Sequence, residues 1–279
     1  MTDTIRRMFV NARALKVVFA LVILVVGAVA GSSTAWTQGA SSSCASLPSY
    51  AQVKAALDSA VTAESSGLDL NMWATIVDRD GIVCAVAFSG VNRAAQWPGS
   101  RVISAQKANT ANAFSLDSSA GPFLLGNNGL ALSTANLFSA VQPGGSLFGL
   151  QESNPVDVSV AYKGPSANYG KPNDPMVGSK IGGVNVFGGG LPLYGSGSAV
   201  VGAVGVSGDT SCADHFIGWR VRHNLGLDHV FGVAGVSGDA DRPDNIVFDI
   251  NPVTGQSAGG FGHPTCINTG NPATLPAVQ

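Results

Sequence analysis

Apolar residues recur at helical spacing in three stretches of the chain. The first follows Ser49 and Gln52, which form a capping box, and continues until Gly67, so it predicts a helix of about four turns. The second covers residues 100–114, and the third extends from an Asp-Thr cap to about residue 225. The second helix has a half-apolar face made of Ile103, Lys107, Thr110, Ala111 and Phe114.

Runs rich in Val, Ile and aromatic residues predict strands. Two of them, 70–77 and 82–88, flank the sequence Asp-Arg-Asp-Gly, which is a strong hairpin signal. Helices and antiparallel strands are grouped rather than alternating one for one, which favours an α+β fold, an antiparallel sheet flanked by helices, over a doubly wound fold. Glycine turns separate further predicted strands at 184–187, 191–194 and 199–206, and a last strand is predicted at 246–250.

Residues 115–180 form a long, loop-rich insertion in which only 130–141 could be a helix. A long irregular stretch in a compact domain is commonly a functional loop or a partner surface, so a protein partner could bind here. The tail after residue 226 is also rich in turns. No charge run or proline-rich linker divides residues 41–279, which favours one domain over two.

The first 40 residues have the pattern of an export signal. Four basic residues precede an uninterrupted apolar run at 17–30. A membrane span needs roughly 20 apolar residues, so a removed signal, cleaved within 30–40, is favoured over a retained anchor. The segment from Arg6 to Val10 also fits a twin-arginine pattern, although ordinary unfolded export is at least as compatible. The mature chain is then secreted or periplasmic, without membrane attachment.

Charge and cysteine content sharpen this interpretation. The chain has 15 Lys and Arg against 17 Asp and Glu, and four of the basic residues lie in the predicted signal, so the mature chain has no basic field for nucleic acid. Four cysteines in an oxidising compartment predict two disulfides with three possible pairings. We favour the pairing in which each bond pins a loose terminus onto a regular element: Cys44 with Cys84, and Cys212 with Cys266. The absence of C-x-x-C spacing argues against a metal site and against covalent haem.

Glycine- and acid-rich motifs are weak signals of chemistry. Glycine directly follows Ser207, whereas a nucleophile elbow has its glycine at the second position after the serine. The same sequence, Gly-Val-Ser-Gly-Asp, recurs at 235–239. Gly188 to Gly190 predict a turn or a close backbone approach to a ligand. A small acidic group could hold calcium, but a solvated loop is favoured because no bidentate Glu follows; its members are Asp239, Asp241 and Asp244.

The histidines do not form a metal pair, although one imidazole is enough for haem. His215 and His223 are eight residues apart on one predicted helix, which rotates them by roughly 80°. The other two are His229 and His263, and all four are more typical of structural or surface positions. Lys107 either extends along the surface, pairs with an acid or contacts a ligand, and Asp214 could cap its helix or pair with Lys107.

Two motifs resemble the GlcG/HbpS haem-binding family. Residues 106–111 match that family's K-A-x-T-A segment, and Gly-Gly-Leu-Pro-Leu at 189–193 is followed by the strand 201–208 and by Asp214 in a helix. The resemblance covers about residues 48–115 and 180–226. It implies an antiparallel sheet flanked by helices, frequent homo-oligomers, and binding of haem or a related tetrapyrrole in some members.

By position, the resemblance transfers a set of recurrent residues to this chain: Lys107, Thr110, Gly190, Pro192, Ser207, Gly208 and Asp214. The insertion and the tail depart from the compact family pattern, and the family has no single agreed iron ligand. His215, beside Asp214, is our hypothesis for the haem iron ligand.

The sequence therefore favours an exported haem-binding protein that serves haem uptake, storage or sensing. A second hypothesis is an enzyme that uses the same pocket to degrade haem or to act on a small organic acid. A third is a disulfide-stapled structural or interaction module. No residue pattern identifies a catalytic group, which makes a binding role the preferred prediction.

Overall fold

One antiparallel sheet with the strand order β2–β1–β4–β3 organises the molecule. The computed structural model describes residues 44–122 and 127–279. The strands are Trp73–Asp78 (β1), Val83–Phe88 (β2), Gly190–Gly195 (β3) and Ala199–Ser207 (β4). Every residue of the central strand β1 is buried, because helices cover both faces of the sheet.

The helices divide between the two faces. They are Tyr50–Thr62 (α1), Ser100–Phe114 (α2), the single turn Val158–Ala161 (α3) and Ser211–Asn224 (α4). Alternate residues of β1 point to opposite faces, so Ile76 packs into the larger core with α1 and α4, whereas Val77 packs into a second core with α2 and the insertion. The predicted α+β class is confirmed.

Local signals in the first 60 described residues act as predicted. The Ser49 hydroxyl accepts the Gln52 N–H, and the Ser49 N–H donates to Gln52 Oε1 at 2.9 Å, which completes the capping box at the start of α1. The turn between β1 and β2 is held by Asp78, whose carboxylate accepts the Ile82 N–H at 2.8 Å, and Gly81 supplies the positive φ of 78° that the turn needs. The predicted hairpin is therefore confirmed.

Helix α2 lies unusually close to β4. A methyl group on Gly205 would collide with the Ser104 carbonyl, so the absent side chain allows the helix backbone to approach the strand. Because of this close approach, the buried face of α2 is centred on the small residues Ala105, Ala108 and Ala111 and not on bulky apolar residues. Of the predicted face, Lys107, Thr110 and Ala111 are buried, whereas Ile103 and Phe114 are half-buried, with Phe114 packed against a third, smaller core.

Three predicted elements are wrong, and side-chain acceptors explain them. Residues 130–141 form two short turns, Thr134–Leu137 and Ser139–Val141, instead of one helix, because Ser133 and Asn136 start a separate capping box. Residues 184–187 are not a strand, since the Asn185 N–H donates to Thr110 Oγ1 at 3.0 Å. Residues 246–250 also lack a ladder, and the Ile246 N–H donates to a histidine ring.

Two disulfides join the ends of the described chain to the core, with the pairing favoured from the sequence. Cys44 bonds Cys84 in β2, and Cys212 in the first turn of α4 bonds Cys266 in the tail. None of the helices in residues 44–122 and 127–279 is long and apolar enough to cross a membrane. The predicted signal at 1–40 lies outside the described residues and stays a prediction.

Candidate functional site

A buried ion pair connects the two sequence motifs. Lys107 Nζ lies 2.6 Å from Asp214 Oδ2 and 3.1 Å from the Val206 carbonyl oxygen. Asp214 Oδ1 accepts the N–H groups of Gly208 and Asp209 at 3.0 and 2.9 Å. The pair therefore joins α2, the end of β4 and the first turn of α4. Of the two roles that the sequence allowed Asp214, pairing with Lys107 is present, whereas Thr210 caps the helix and Asp214 binds the backbone that precedes it.

Burial shifts both partners of this pair toward their neutral forms. Desolvation lowers the pKa of Lys107, and the attraction of Asp214 opposes that shift. Desolvation raises the pKa of Asp214 to about 6, while Lys107 and the Asp209 N–H hold it down. At neutral pH the carboxylate is ionised, so the lysine completes an internal ion pair and does not reach solvent or a ligand.

The remaining resemblance-derived positions surround the pair without opening onto it. Gly190 donates its N–H to Thr134 Oγ1 at 2.9 Å, and a methyl group there would collide with the Thr134 side chain and with the Lys107 carbonyl. Thr110 donates to the Gln106 carbonyl at 2.8 Å, and Pro192 faces Ala203 in the β3–β4 ladder. All three are buried, so their contacts are with protein.

His215 is also closed off from solvent. Its Nε2 accepts the Ile246 N–H at 3.1 Å and lies 3.2 Å from Asn245 Oδ1, and the ring packs 6.0 Å from Trp219. Desolvation lowers the pKa of His215 to about 3, so the ring is neutral. Iron could reach Nε2 only after the Ile246 contact was broken. Ligation by His215 stays a prediction.

The burial and hydrogen bonds of the predicted haem-binding residues determine whether a porphyrin could fit among them. Haem needs an open slot with an accessible ligand atom, whereas the residues proposed to bind it are buried and make their contacts with protein: Lys107, Thr110, Gly190, Pro192, Asp214 and His215. Haem does not fit among them in this structure. The arrangement instead anchors three elements of the fold.

A serine–histidine contact lies beside this centre, and sequence reasoning missed it. Ser211 Oγ is 2.7 Å from His263 Nε2, and His263 Nδ1 is 2.7 Å from the Pro264 carbonyl, which requires the proton on Nδ1. The Gly188 N–H donates to the same hydroxyl at 2.7 Å. Desolvation lowers the pKa of His263 to about 4, so the neutral ring accepts from Ser211. Fifty-two residues separate the partners, and no local spacing signals the contact.

His263→Asn is expected to flatten the pH dependence of stability. The unfolded chain takes up a proton on this residue below about pH 6.5, whereas the folded chain does so only near pH 4. Its contribution is thus complete above pH 6.5 and is lost on acidification, at about 1.4 kcal/mol per pH unit. Urea unfolding between about pH 4.5 and 6 should give a slope smaller by that amount in the variant. Equal slopes would contradict the assignment.

His223 lies on the same helix as His215, α4, but is partly exposed. Its Nδ1 lies 2.7 Å from Asp228 Oδ2; the histidine side chain is 37% exposed and that of Asp228 only 1%. The carboxylate can only accept, so Nδ1 carries the proton and Nε2 is the nitrogen left for another partner. The sequence signal was weak, because Asp228 lies beyond the end of α4.

The acidic group near residue 240 is not one solvated loop. Asp244 is fully buried and forms a two-point ion pair with Arg222, at 2.5 and 2.9 Å. Asp239 pairs with Arg242 at 3.0 Å at the surface. The prediction of a solvated loop is therefore wrong for Asp244, because a buried arginine from α4 neutralises it.

A family model described as "Haem degrading protein HbpS-like" matches residues 49–222. The chain therefore belongs to the HbpS-like family, as the resemblance predicted. A comparison with curated proteins gives no match.

Three crystal structures illustrate the range of similar folds. Klebsiella pneumoniae protein ORFY, a DUF336 protein, is 26% identical over 63% of this chain and 86% of its own, with a TM-score of 0.39. PduOC in complex with haem is 19% identical over 63% of this chain and 90% of its own, with a TM-score of 0.40. HbpS is 16% identical over 71% of this chain and 99% of its own, with a TM-score of 0.35.

Proposed function

We propose that this chain is an exported haem-binding protein that serves haem uptake, storage or sensing. Membership of the HbpS-like family, whose description refers to haem, carries the proposal. The two disulfides support an oxidising compartment, in agreement with the export signal predicted at residues 1–40.

The resemblance also motivates the proposal that the mature chain is a homo-oligomer, which light scattering on the purified protein would test.

His223 is the iron ligand that the geometry supports best. A histidine that binds a metal usually donates its other ring N–H to a carboxylate, which fixes the ring and raises its basicity. Asp228 does this for His223, and Nε2 has no partner among the described residues. His215 and His263 are buried; both ring nitrogens of His263 and Nε2 of His215 contact protein, and Nδ1 of His215 has no partner but is closed off from solvent. Haem would supply an iron centre for ligand or electron exchange, and the protein's part would be to hold it through this ring.

A haemin titration of residues 41–279 tests both haem binding by the chain and ligation of the iron by His223. We expect a shifted Soret band that saturates at a stoichiometric ratio, and at least about tenfold weaker binding in His223→Ala, which corresponds to about 1.4 kcal/mol. His229→Ala is the matched control and should bind as the unmodified chain does. If no Soret shift occurs at any ratio, the haem proposal is wrong and a structural or interaction module becomes the better interpretation.

The variants separate the ligand from the function. Unchanged binding by His223→Ala with a normal Soret shift would reject His223 and retain haem binding. If a His215→Ala variant has a native circular dichroism spectrum but no longer shifts the Soret band, His215 is the iron ligand instead. The His215 variant needs that fold check because its ring is fully buried and packs against Trp219.

Haem degradation is a second candidate function, favoured by the family's description. A degrading enzyme consumes its bound haem, whereas a carrier retains it. The bound Soret band should therefore decay in the presence of a reductant and oxygen if the chain is an enzyme, and persist over the same time if it only binds haem.

A further inference from the structure

A small cleft lies beside the start of β1, away from the Lys107–Asp214 pair. Its volume is about 200 Å³, and it lies between the segment that precedes α2 and the insertion. Trp73 is its buried floor, and Tyr162, a residue that is 58% exposed, lies at its edge. The cleft is lined by Trp73, Arg93, Pro98, Gly99, Tyr162 and Tyr169.

The insertion side of the cleft is held in place by a buried cation. Arg101 Nε donates to Asp174 Oδ2 at 2.8 Å, and its guanidinium stacks 3.6 Å from the centre of the Tyr169 ring. Arg101 also donates to the Ala161 carbonyl at 2.7 Å, next to Tyr162. The buried Arg101–Asp174 pair thus fixes the position of this wall through contacts within the protein alone.

The floor is equally constrained. Trp73 Nε1 donates to the Trp97 carbonyl at 3.0 Å, and its ring packs 5.2 Å from that of Phe88. Gly170 has no side chain, which lets the insertion backbone approach both rings; a methyl group there would collide with Phe88. The cleft therefore presents aromatic surfaces whose positions are set by packing, which suits a flat ring more than a flexible chain.

Charge adds a second requirement. Arg93 is the only charged residue in the lining, it is exposed, and it has no hydrogen bond or ion pair among residues 44–122 and 127–279. Its backbone is fixed by a short helical turn, Arg93–Ala95, that Asn92 caps with a 2.9 Å bond to the Ala94 N–H. A planar guanidinium recognises a carboxylate through two parallel hydrogen bonds.

We propose that this cleft binds a small planar aromatic carboxylate of one or two rings. The ring stacks against Tyr162 and Tyr169 above the floor formed by Trp73, and the carboxylate pairs with Arg93. Pockets for larger ligands have volumes of about 300 Å³ or more, so the cleft is too small to enclose a tetrapyrrole. The proposal is independent of haem binding, and it gives the insertion a role as one wall of a ligand site.

Binding of 2-naphthoate to residues 41–279, followed by calorimetry, tests this proposal. We expect saturable binding at one site per chain, and weaker binding of 2-naphthalenemethanol, which has the same rings without the charge. Arg93→Gln should weaken naphthoate binding at least about tenfold and leave the alcohol unchanged. Lys171→Gln, which removes an exposed charge from the insertion outside the lining, is the matched control and should behave as the unmodified chain does.

A variant of the ring wall provides an independent check. Tyr162→Ala should weaken the binding of both probes, since it removes a stacking surface and keeps Arg93. Absence of saturable naphthoate binding, or equal naphthoate affinity in Arg93→Gln and Lys171→Gln, would overturn the proposal. Displacement of naphthoate by one equivalent of haemin would also overturn it, because the cleft would then belong to the haem site.

Discussion

Lys107→Met is expected to lower the free energy of unfolding by about 3–5 kcal/mol, because it leaves the Asp214 carboxylate buried without a counter-charge. Methionine has a similar length and keeps most of the packing. The remaining partners of the carboxylate, the N–H groups of Gly208 and Asp209, do not neutralise it. Urea unfolding at neutral pH, followed by tryptophan fluorescence, measures the loss.

Two further variants separate lost charge from lost packing. The double variant Lys107→Met/Asp214→Asn removes the uncompensated charge and keeps an oxygen for the two backbone donors, so it should be more stable than Lys107→Met alone. Lys54→Met is the surface control, since the Lys54–Asp58 pair lies half-exposed at the surface and should contribute about 1 kcal/mol or less. A Lys107→Met loss no larger than that of Lys54→Met would show that the buried pair is not needed for stability.

Removal of the Cys212–Cys266 disulfide by a double serine substitution is expected to cost about 4 kcal/mol, because the bond closes a long loop in the unfolded chain. The bond also fastens the tail to α4, where Leu275 and Val278 join the larger core. The variant should therefore unfold at lower urea concentration and be cleaved faster by protease within 251–279.

The Cys44–Cys84 bond provides the matched control. Its removal should have a similar effect on global stability, since its 40-residue separation differs little in loop entropy from the 54 residues of the other bond. It should not change the protease sensitivity of the tail, because it joins the opposite end of the described chain to β2. Equal cleavage of the tail in both variants would refute the local role of Cys212–Cys266.

Local signals predicted the elements whose causes are local. The Ser49 capping box, the hairpin turn at 78–81 and the cap at Thr210 each depend on residues within one turn of chain, and all three are present. The wrong elements at 184–187 and 246–250 are those in which side chains distant along the sequence bind backbone groups, whereas the segment 130–141 is divided by a local capping box of Ser133 and Asn136.

The candidate site divides in the same way. Lys107 and Asp214 could be suggested as a pair from the sequence because each belongs to a recognisable motif, although 107 residues separate them. The Ser211–His263, Arg101–Asp174 and Arg222–Asp244 contacts went undetected, because nothing near either partner specifies the other. Burial of the six proposed binding residues was equally invisible, since a polar residue in a motif has the same letter whether it faces a ligand or another helix.

By itself, the sequence determined the α+β class and the positions of three of the four described helices, since periodicity and capping depend on short-range chemistry, and its motifs identified the family. The cysteine count predicted two disulfides, and the pairing favoured among the three possible ones is the pairing in the structure. The tertiary structure decided that Lys107 and Asp214 form an internal ion pair, that His223 is partly exposed with its ring held by Asp228, and that the insertion builds one wall of an aromatic cleft. Each of these depends on which surfaces are removed from water when distant segments pack, and close packing is a property of the whole chain.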